Sequence, residues 1–250
     1  MLAVERRKII LELLQNEGKA EIYQLRSFFD VSDETLRRDL DQLCQEGLAV
    51  KCYGGATLNE NARDVSFNLR KTQNPAEKMK IAESVVGLVA DGDSIILDAS
   101  STAVYTAKML KKKKELTIVT NSMEVMAELS ETDFTVISTG GRLSGPFLAF
   151  TGGQALASLS SFYVNKLIFS CKALSISGGI YDSTSDFADV KQAMLKSAKT
   201  KILAVDSAKF DRNSFAKIAS LSDIDVLVTD KKPSAAWVDA LSACEVEAVF

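Results

Sequence analysis

Val31-Ser-Asp-Glu-Thr-Leu-Arg-Arg-Asp-Leu-Asp-Gln-Leu43 carries a strong helix signal and two adjacent arginines. Ser32 is a good helix N-cap, because its hydroxyl oxygen can accept from an amide that has no partner in the first turn. Asp33 and Glu34 follow where the helix dipole favours negative charge. Leu36, Leu40 and Leu43 recur at helical spacing and make one apolar stripe. At 100° per residue, Glu34 and Arg38 fall nearly opposite that stripe and Arg37 lies on its flank. The leucines can therefore be buried while both arginines point outward, which is what a DNA recognition helix requires. Alone, the segment also fits an ordinary amphipathic surface helix, so its neighbours must decide.

The neighbours supply a second helix and a hairpin. Ile9, Ile10, Leu13 and Leu14 predict a helix from about Val4 to Asn16, with Gly18 as its C-terminal stop. A shorter helix is expected from about Glu21 to Phe29, with Ile22, Leu25 and either Phe28 or Phe29 facing inward. Asp30-Val31 is a tight connection to the Ser32 helix, so the pair reads as a helix-turn-helix. Beyond Gly47, Leu48 to Tyr53 has β character, Gly54-Gly55 turns, and Ala56-Thr57-Leu58 returns. That hairpin is the wing of a winged helix. The candidate DNA contacts are Ser32, Glu34, Thr35, Arg37, Arg38 and, through its hydroxyl, Tyr53. Residues 1–58 hold eight Lys/Arg against ten Asp/Glu, a balance of −2. Phosphate neutralisation supplies much of DNA affinity, so one such head should bind weakly and a dimer or tetramer should present several.

Composition narrows the rest. The 250 residues are 46% hydrophobic and 25% charged, with a net charge of −3, as in a soluble globular protein of one or two domains. No apolar run is long enough to span a membrane, and the start lacks the apolar region of a signal peptide. Cys44, Cys52, Cys171 and Cys244 are scattered without a CxxC pair, which fits reduced thiols in the cytoplasm and neither a disulfide frame nor a metal site. Histidine is absent, which excludes a Ser-His-Asp triad and disfavours a zinc enzyme. No cofactor is expected.

Residues 59–74 are polar and read as a linker, with Arg70 and Lys78 either as interdomain contacts or, the commoner case, as solvated linker charges. Pro75 opens a helix at the favoured first position. From there helices alternate with short apolar strands, at Ser94–Asp98, Leu116–Thr120, Phe134–Ser138, Lys166–Ala173, Lys201–Asp206, Asp225–Thr229 and Val246–Phe250. This alternation predicts an α/β domain with a mostly parallel sheet over 75–250, where ligands bind at the carboxyl ends of strands. Three strand ends carry suitable chemistry. Asp98-Ala-Ser-Ser-Thr102 places hydroxyls and amides at a helix start, a natural anion site. Thr120-Asn-Ser122 opens another helix, and Thr139-Gly-Gly141 lets backbone approach a ligand closely. Together they point to a small phosphorylated ligand.

SxxTLRRDLxxLxxxG followed by YGGA resembles the signature of the DeoR-type family of bacterial transcription regulators. The matching residues are Ser32, Thr35 to Leu40, Leu43, Gly47 and Gly54 to Ala56. ERRKIILELL at the start is similar to the family's first helix. DASST, VTNS, TGG, the segment near Gly152, VKQAML, DSAKF and SDIDVLVTD resemble its effector domain, itself similar to ribose-5-phosphate isomerase. Tyr53, Arg26, Ser170-Cys-Lys172 and Phe187 depart from the usual pattern. The resemblance implies a cytoplasmic homo-oligomer that binds double-stranded operator DNA and represses a sugar-utilisation operon until a phosphorylated sugar releases it. It implies effector contacts from Asp98, Ser100, Ser101, Thr102, Asn121, Gly140, Gly141, Lys191 and Lys209. Ser100 to Thr102 would hold the phosphate, and Lys172 is either a contact or a lysine reaching solvent. A different reading is a sugar-phosphate isomerase with an added N-terminal module, its proton moved by Asp98, Asp182, Asp186 or a lysine.

Overall fold

A computed structural model of the chain describes residues 1–46, 48–58 and 67–250; Gly47 and the 59–66 part of the expected linker lie outside the described residues. The chain divides into two compact units, Met1–Ser66 and Phe67–Phe250.

The first unit runs α1 (Ala3–Glu17), β1 (Lys19–Glu21), α2 (Ile22–Phe28), α3 (Asp33–Gln45), β2 (Ala49–Cys52) and β3 (Gly55–Leu58). Gly18 ends α1 in the left-handed conformation, its N–H donating to the Leu14 carbonyl. Ile10, Leu14, Leu25, Leu36, Leu40 and Leu43 form the buried interior, and Phe29 is the inward phenylalanine while Phe28 is exposed. The wing hairpin β2–β3 is present, and β1 joins it as a third antiparallel strand beside β3. Sequence reading did not find β1, because three residues between two helices leave no alternation to read.

The second unit opens with α4 (Phe67–Thr72) and α5 (Pro75–Gly87). The helix over 67–72 corrects the expected linker: Phe67 is buried in this unit's core, so the unit begins there and not at Pro75. Next come β4 (Ser94–Leu97), α6 (Ser101–Leu110), β5 (Thr117–Thr120), α7 (Met123–Leu129) and β6 (Thr135–Ser138). A hairpin, β7 (Arg142–Ser144) and β8 (Ala149–Thr151), leads to α8 (Gly153–Ser160) and β9 (Val164–Phe169). The strand expected at Lys166–Ala173 ends at Phe169, and Ala173 starts another strand. β10 (Ala173–Ser175), β11 (Gly179–Asp182), α9 (Ser185–Lys196), β12 (Ala198–Ala204) and β13 (Ala216–Ala219) follow, then β14 (Val226–Val228), α10 (Ala235–Ala243) and β15 (Glu247–Val249).

Seven strands form a wholly parallel sheet in the order β15-β14-β12-β9-β4-β5-β6. β10, β11 and β13 make a separate antiparallel sheet. The apolar runs explain the two-sided burial of the large sheet. Ile95, Leu97, Ile168, Ile202 and Val228 face one core with α5 and α6, while Ile96, Leu167, Phe169, Leu203 and Leu227 face the other with α9 and Trp237. Successive residues of one strand thus enter opposite cores, as strand geometry dictates. From β4 the chain proceeds to β5 and β6 on one side, and from β9 to β12, β14 and β15 on the other. The strand order therefore reverses between β4 and β9, and ligands of open parallel sheets bind outside the carboxyl ends at such a reversal.

Candidate functional site

The first unit presents its polar face as the spacing predicts. Ser32 caps α3, its Oγ accepting from the Thr35 amide at 3.3 Å. This use fixes the helix start and makes Ser32 a positioning residue. Glu34, Arg37 and Arg38 are exposed, and Arg38 lies 3.4 Å from Glu34 one turn earlier. Thr35 is half-buried beside the cap, and Tyr53 is fully exposed at the tip of the wing. Arg26, a departure from the family pattern, reaches Asp33 at 3.1 Å and stays at the surface. Asp39 is the residue the motif alone did not explain. It is buried and pairs with Arg6 at 2.5 Å and Arg7 at 3.5 Å, which ties α3 to α1. Its position three residues after Leu36, on the inward side, was the available signal.

In the second unit, Ser170, Asp98, Asn121 and Thr139 follow the neighbouring strands β9, β4, β5 and β6 and so stand side by side along one sheet edge. Ser100 caps α6, accepting from the Ala103 amide at 3.0 Å. The amides of Ser101 and Thr102 open the helix, where N–H groups have no intrahelical carbonyl to meet. The side-chain oxygens of Asn121 and Ser170 are buried and have no hydrogen-bond partner among the described residues. Buried polar atoms of this kind call for a ligand or ordered water. Gly140 and Gly141 both have positive φ, 61° and 112°. At Gly141 a Cβ would also lie 2.7 Å from the Thr151 carbonyl oxygen, so that glycine serves the packing of the loop on β8.

The lysines divide into separate roles. Lys191 is buried, with Nζ 2.6 Å from Asp182, 3.2 Å from Asp98 and 2.7 Å from the Ser170 carbonyl oxygen. Burial opposes its charge, but Asp182 and Asp98 outweigh it and hold the ammonium above its ordinary range. Burial likewise opposes the Asp182 carboxylate, and Lys191 overcomes it and holds that group below its ordinary range. Asp98 is wholly buried and accepts from the amides of Ser100 and Ser170, each at 3.1 Å. Asp98 and Lys191, both expected among the effector contacts, lie together here and lock the β4 and β9 loops to each other. Lys209 is half-buried and donates to the Cys171 carbonyl at 2.8 Å. Lys172 is half-buried in the loop before β10, and its amide donates to the Tyr181 carbonyl. Burial pushes the Cys171 thiol up to about 12, so it is inert.

Four residues of this region were missed or misread from sequence. Lys78, expected as a solvated linker charge, is buried and donates to the carbonyls of Arg70, at 2.6 Å, and Gln73. Arg70 lies over the rings of Phe67, at 5.4 Å, and Phe147, at 5.2 Å. Phe147 in turn stacks on Phe187 at 4.5 Å, and both pack against Ala99. The contacts of Phe147 with Arg70 and Phe187 join positions far apart in sequence, so no local pattern reveals them. An open groove of about 710 Å³ between α8 and α9, lined by Leu156, Tyr163 and Gln192 among others, includes none of the strand-end residues.

Comparison with known proteins agrees with both units. Residues 6–62 match the model of the DeoR-like helix-turn-helix domain, and residues 73–231 match that of the DeoR C-terminal sensor domain. An HTH-type transcriptional regulator of Bacillus subtilis, YulB, is 39% identical over 99% of this chain and 96% of its own. The L-fucose operon activator of Haemophilus influenzae is 34% identical over 90% of this chain and 91% of its own. A putative aga operon transcriptional repressor of Escherichia coli O157:H7 is 30% identical over 98% and 93%. Ribose 5-phosphate isomerase A of Methanocaldococcus jannaschii aligns over 55% of each chain at 16% identity with a TM-score of 0.41, a likeness too weak to build on. Matched from the recognition helix through the sensor sheet, this chain belongs to the DeoR family of transcriptional regulators.

Proposed function

We propose that this regulator represses a sugar-utilisation operon and leaves its operator when a phosphorylated sugar binds at the strand ends of the second unit. The observation that carries the sensor half is the first turn of α6. Its first amides, those of Ser101 and Thr102, lie at the reversal of strand order, beside the buried oxygens of Asn121 and Ser170. Amides and dipole there favour a phosphate, and the buried oxygens suit sugar hydroxyls. Ser101, Thr102, Asn121, Gly140, Lys172 and Lys209 are the contacts, with Ser100, Asp98 and Lys191 holding the loop that presents them. Exposed Arg37 and Arg38, with Thr35 and Tyr53, meet the DNA. The head's balance of −2 favours a dimer or tetramer that engages several half-sites at once. Repression is the sign proposed; a relative named as an operon activator makes the opposite sign a real alternative outcome in a reporter assay.

The isomerase reading has less support. Asp182, one of its proton-moving candidates, is held below its ordinary range by Lys191, which makes it a weak base. Asp186 is engaged by Arg142 at the surface. Thermal unfolding of the full chain against a panel of phosphorylated sugars and their unphosphorylated counterparts tests the proposal. One phosphosugar should raise the midpoint by several degrees, with no effect of the parent sugar and no turnover. Conversion of an aldose phosphate to its ketose would replace this reading with the enzyme.

A further inference from the structure

We propose that Lys78 reads the effector's anionic group and that α4 is the element it releases. This rests on the strand-end site being the effector site. α4 is fastened to the second unit at several points. Phe67 is buried in the core, Tyr105 donates its hydroxyl to the Lys71 carbonyl at 3.1 Å, and Lys71 pairs with Glu124 at 2.7 Å. The last fastening is the Lys78 ammonium, which caps α4 by donating to the Arg70 and Gln73 carbonyls. Carbonyls at a helix C-terminus lack intrahelical partners, so a cation there stabilises the end of the helix.

The ammonium sits in an environment short of negative charge. Burial, and then the charge of Lys209, pull Lys78 down to about 8, and Arg70 adds to that effect while Asp206 only partly offsets it. The two carbonyls it donates to are neutral, and Asp206 and Glu77 compensate its charge only in part. A phosphate at Lys209 offers charged acceptors, and charge-assisted bonds are roughly twice as strong as neutral ones. Asn74, at the start of the helix that carries Lys78, donates to the Asp206 carboxylate at 3.5 Å, and the Asp206 carbonyl accepts from the Lys209 amide, which brings Lys78 and Lys209 to one region. An anion therefore competes with α4 for one ammonium, and α4 is the helix that follows residues 59–66, the segment leading from the DNA-binding unit. By linkage, whatever loosens α4 must raise anion affinity by the same factor.

The test is calorimetric titration and hydrogen exchange on the full chain, with inorganic phosphate, glycerol 3-phosphate and ribose 5-phosphate as probes and glycerol and ribose as controls. A saturating phosphate probe should speed exchange over residues 67–73 by about threefold or more. Lys78→Met should show that fast exchange without probe, and no further response. Tyr105→Phe loosens α4 away from the anion site and should tighten phosphate binding by about threefold to tenfold, the worth of one hydrogen bond. If Lys78→Met does not fold, Tyr105→Phe carries the test. A probe that binds while α4 exchange and the Tyr105→Phe affinity stay unchanged overturns the release mechanism and leaves the site intact. Binding of none of the phosphate probes overturns the site reading, and this inference with it.

Discussion

Lys191 shows how much one side chain holds in place. Its ammonium compensates two buried carboxylates and accounts for the fixed geometry of the β4 and β9 loops. Lys191→Met should cost about 3–5 kcal/mol, because it strands buried charge. The pH dependence carries a sign. Asp182 is held below its ordinary value of 3.8, so its contribution is complete above that value and is lost as pH falls through the lower, folded one. The gap in thermal midpoint between wild type and Lys191→Met should be full at pH 7 and close below about pH 4. A gap independent of pH would mean the lysine acts by packing alone. In the first unit, Arg38→Ala should abolish specific operator binding in a gel shift and leave phosphosugar binding intact; unchanged operator affinity would remove Arg38 from the interface. Arg37 and Arg38 were legible from spacing alone, whereas the pairing of Lys191 with residues nine and ninety-three positions away was not.

At the scale of elements, the helices and strands with strong local signals were readable. Ser32 announced α3, Gly18 ended α1, and seven apolar runs gave the parallel sheet. Elements fixed by distant contacts were not. α4 looks polar in sequence, and the burial of Phe67, the cap from Lys78 and the ties of Lys71 to Tyr105 and Glu124 make it a helix of the second unit. β1 exists because β3 pairs with it, and Gly55 records that pairing: a Cβ there would stand 2.1 Å from the Ala20 carbonyl oxygen. Gly55→Ala should therefore destabilise the first unit by more than about 2 kcal/mol, the range of overpacking costs. Circular dichroism melting of the full chain should show an earlier transition for this variant, and an unchanged melt would mean that β1 contributes little. Ser32→Ala should cost about 1 kcal/mol through the lost cap.

For the whole molecule, the sequence conveyed two units and their roles, since the leucine stripe and the strand ends are local patterns. Which strand-end side chains pair with one another, as Asp98 does with Lys191, depended on the folded sheet. We propose that a phosphorylated sugar at those strand ends changes the grip of α3 on DNA. That requires a coupling free energy between the two sites of about 1–3 kcal/mol, or roughly 5- to 150-fold in affinity. The most direct measurement is fluorescence anisotropy of full-length protein on DNA from upstream of its own gene, titrated with and without each phosphosugar. At least one phosphosugar should weaken binding about tenfold or more, its unphosphorylated parent should not, and Lys209→Met should blunt the response. Operator affinity that no phosphosugar alters, or that parent sugar and phosphosugar alter equally, would contradict the account.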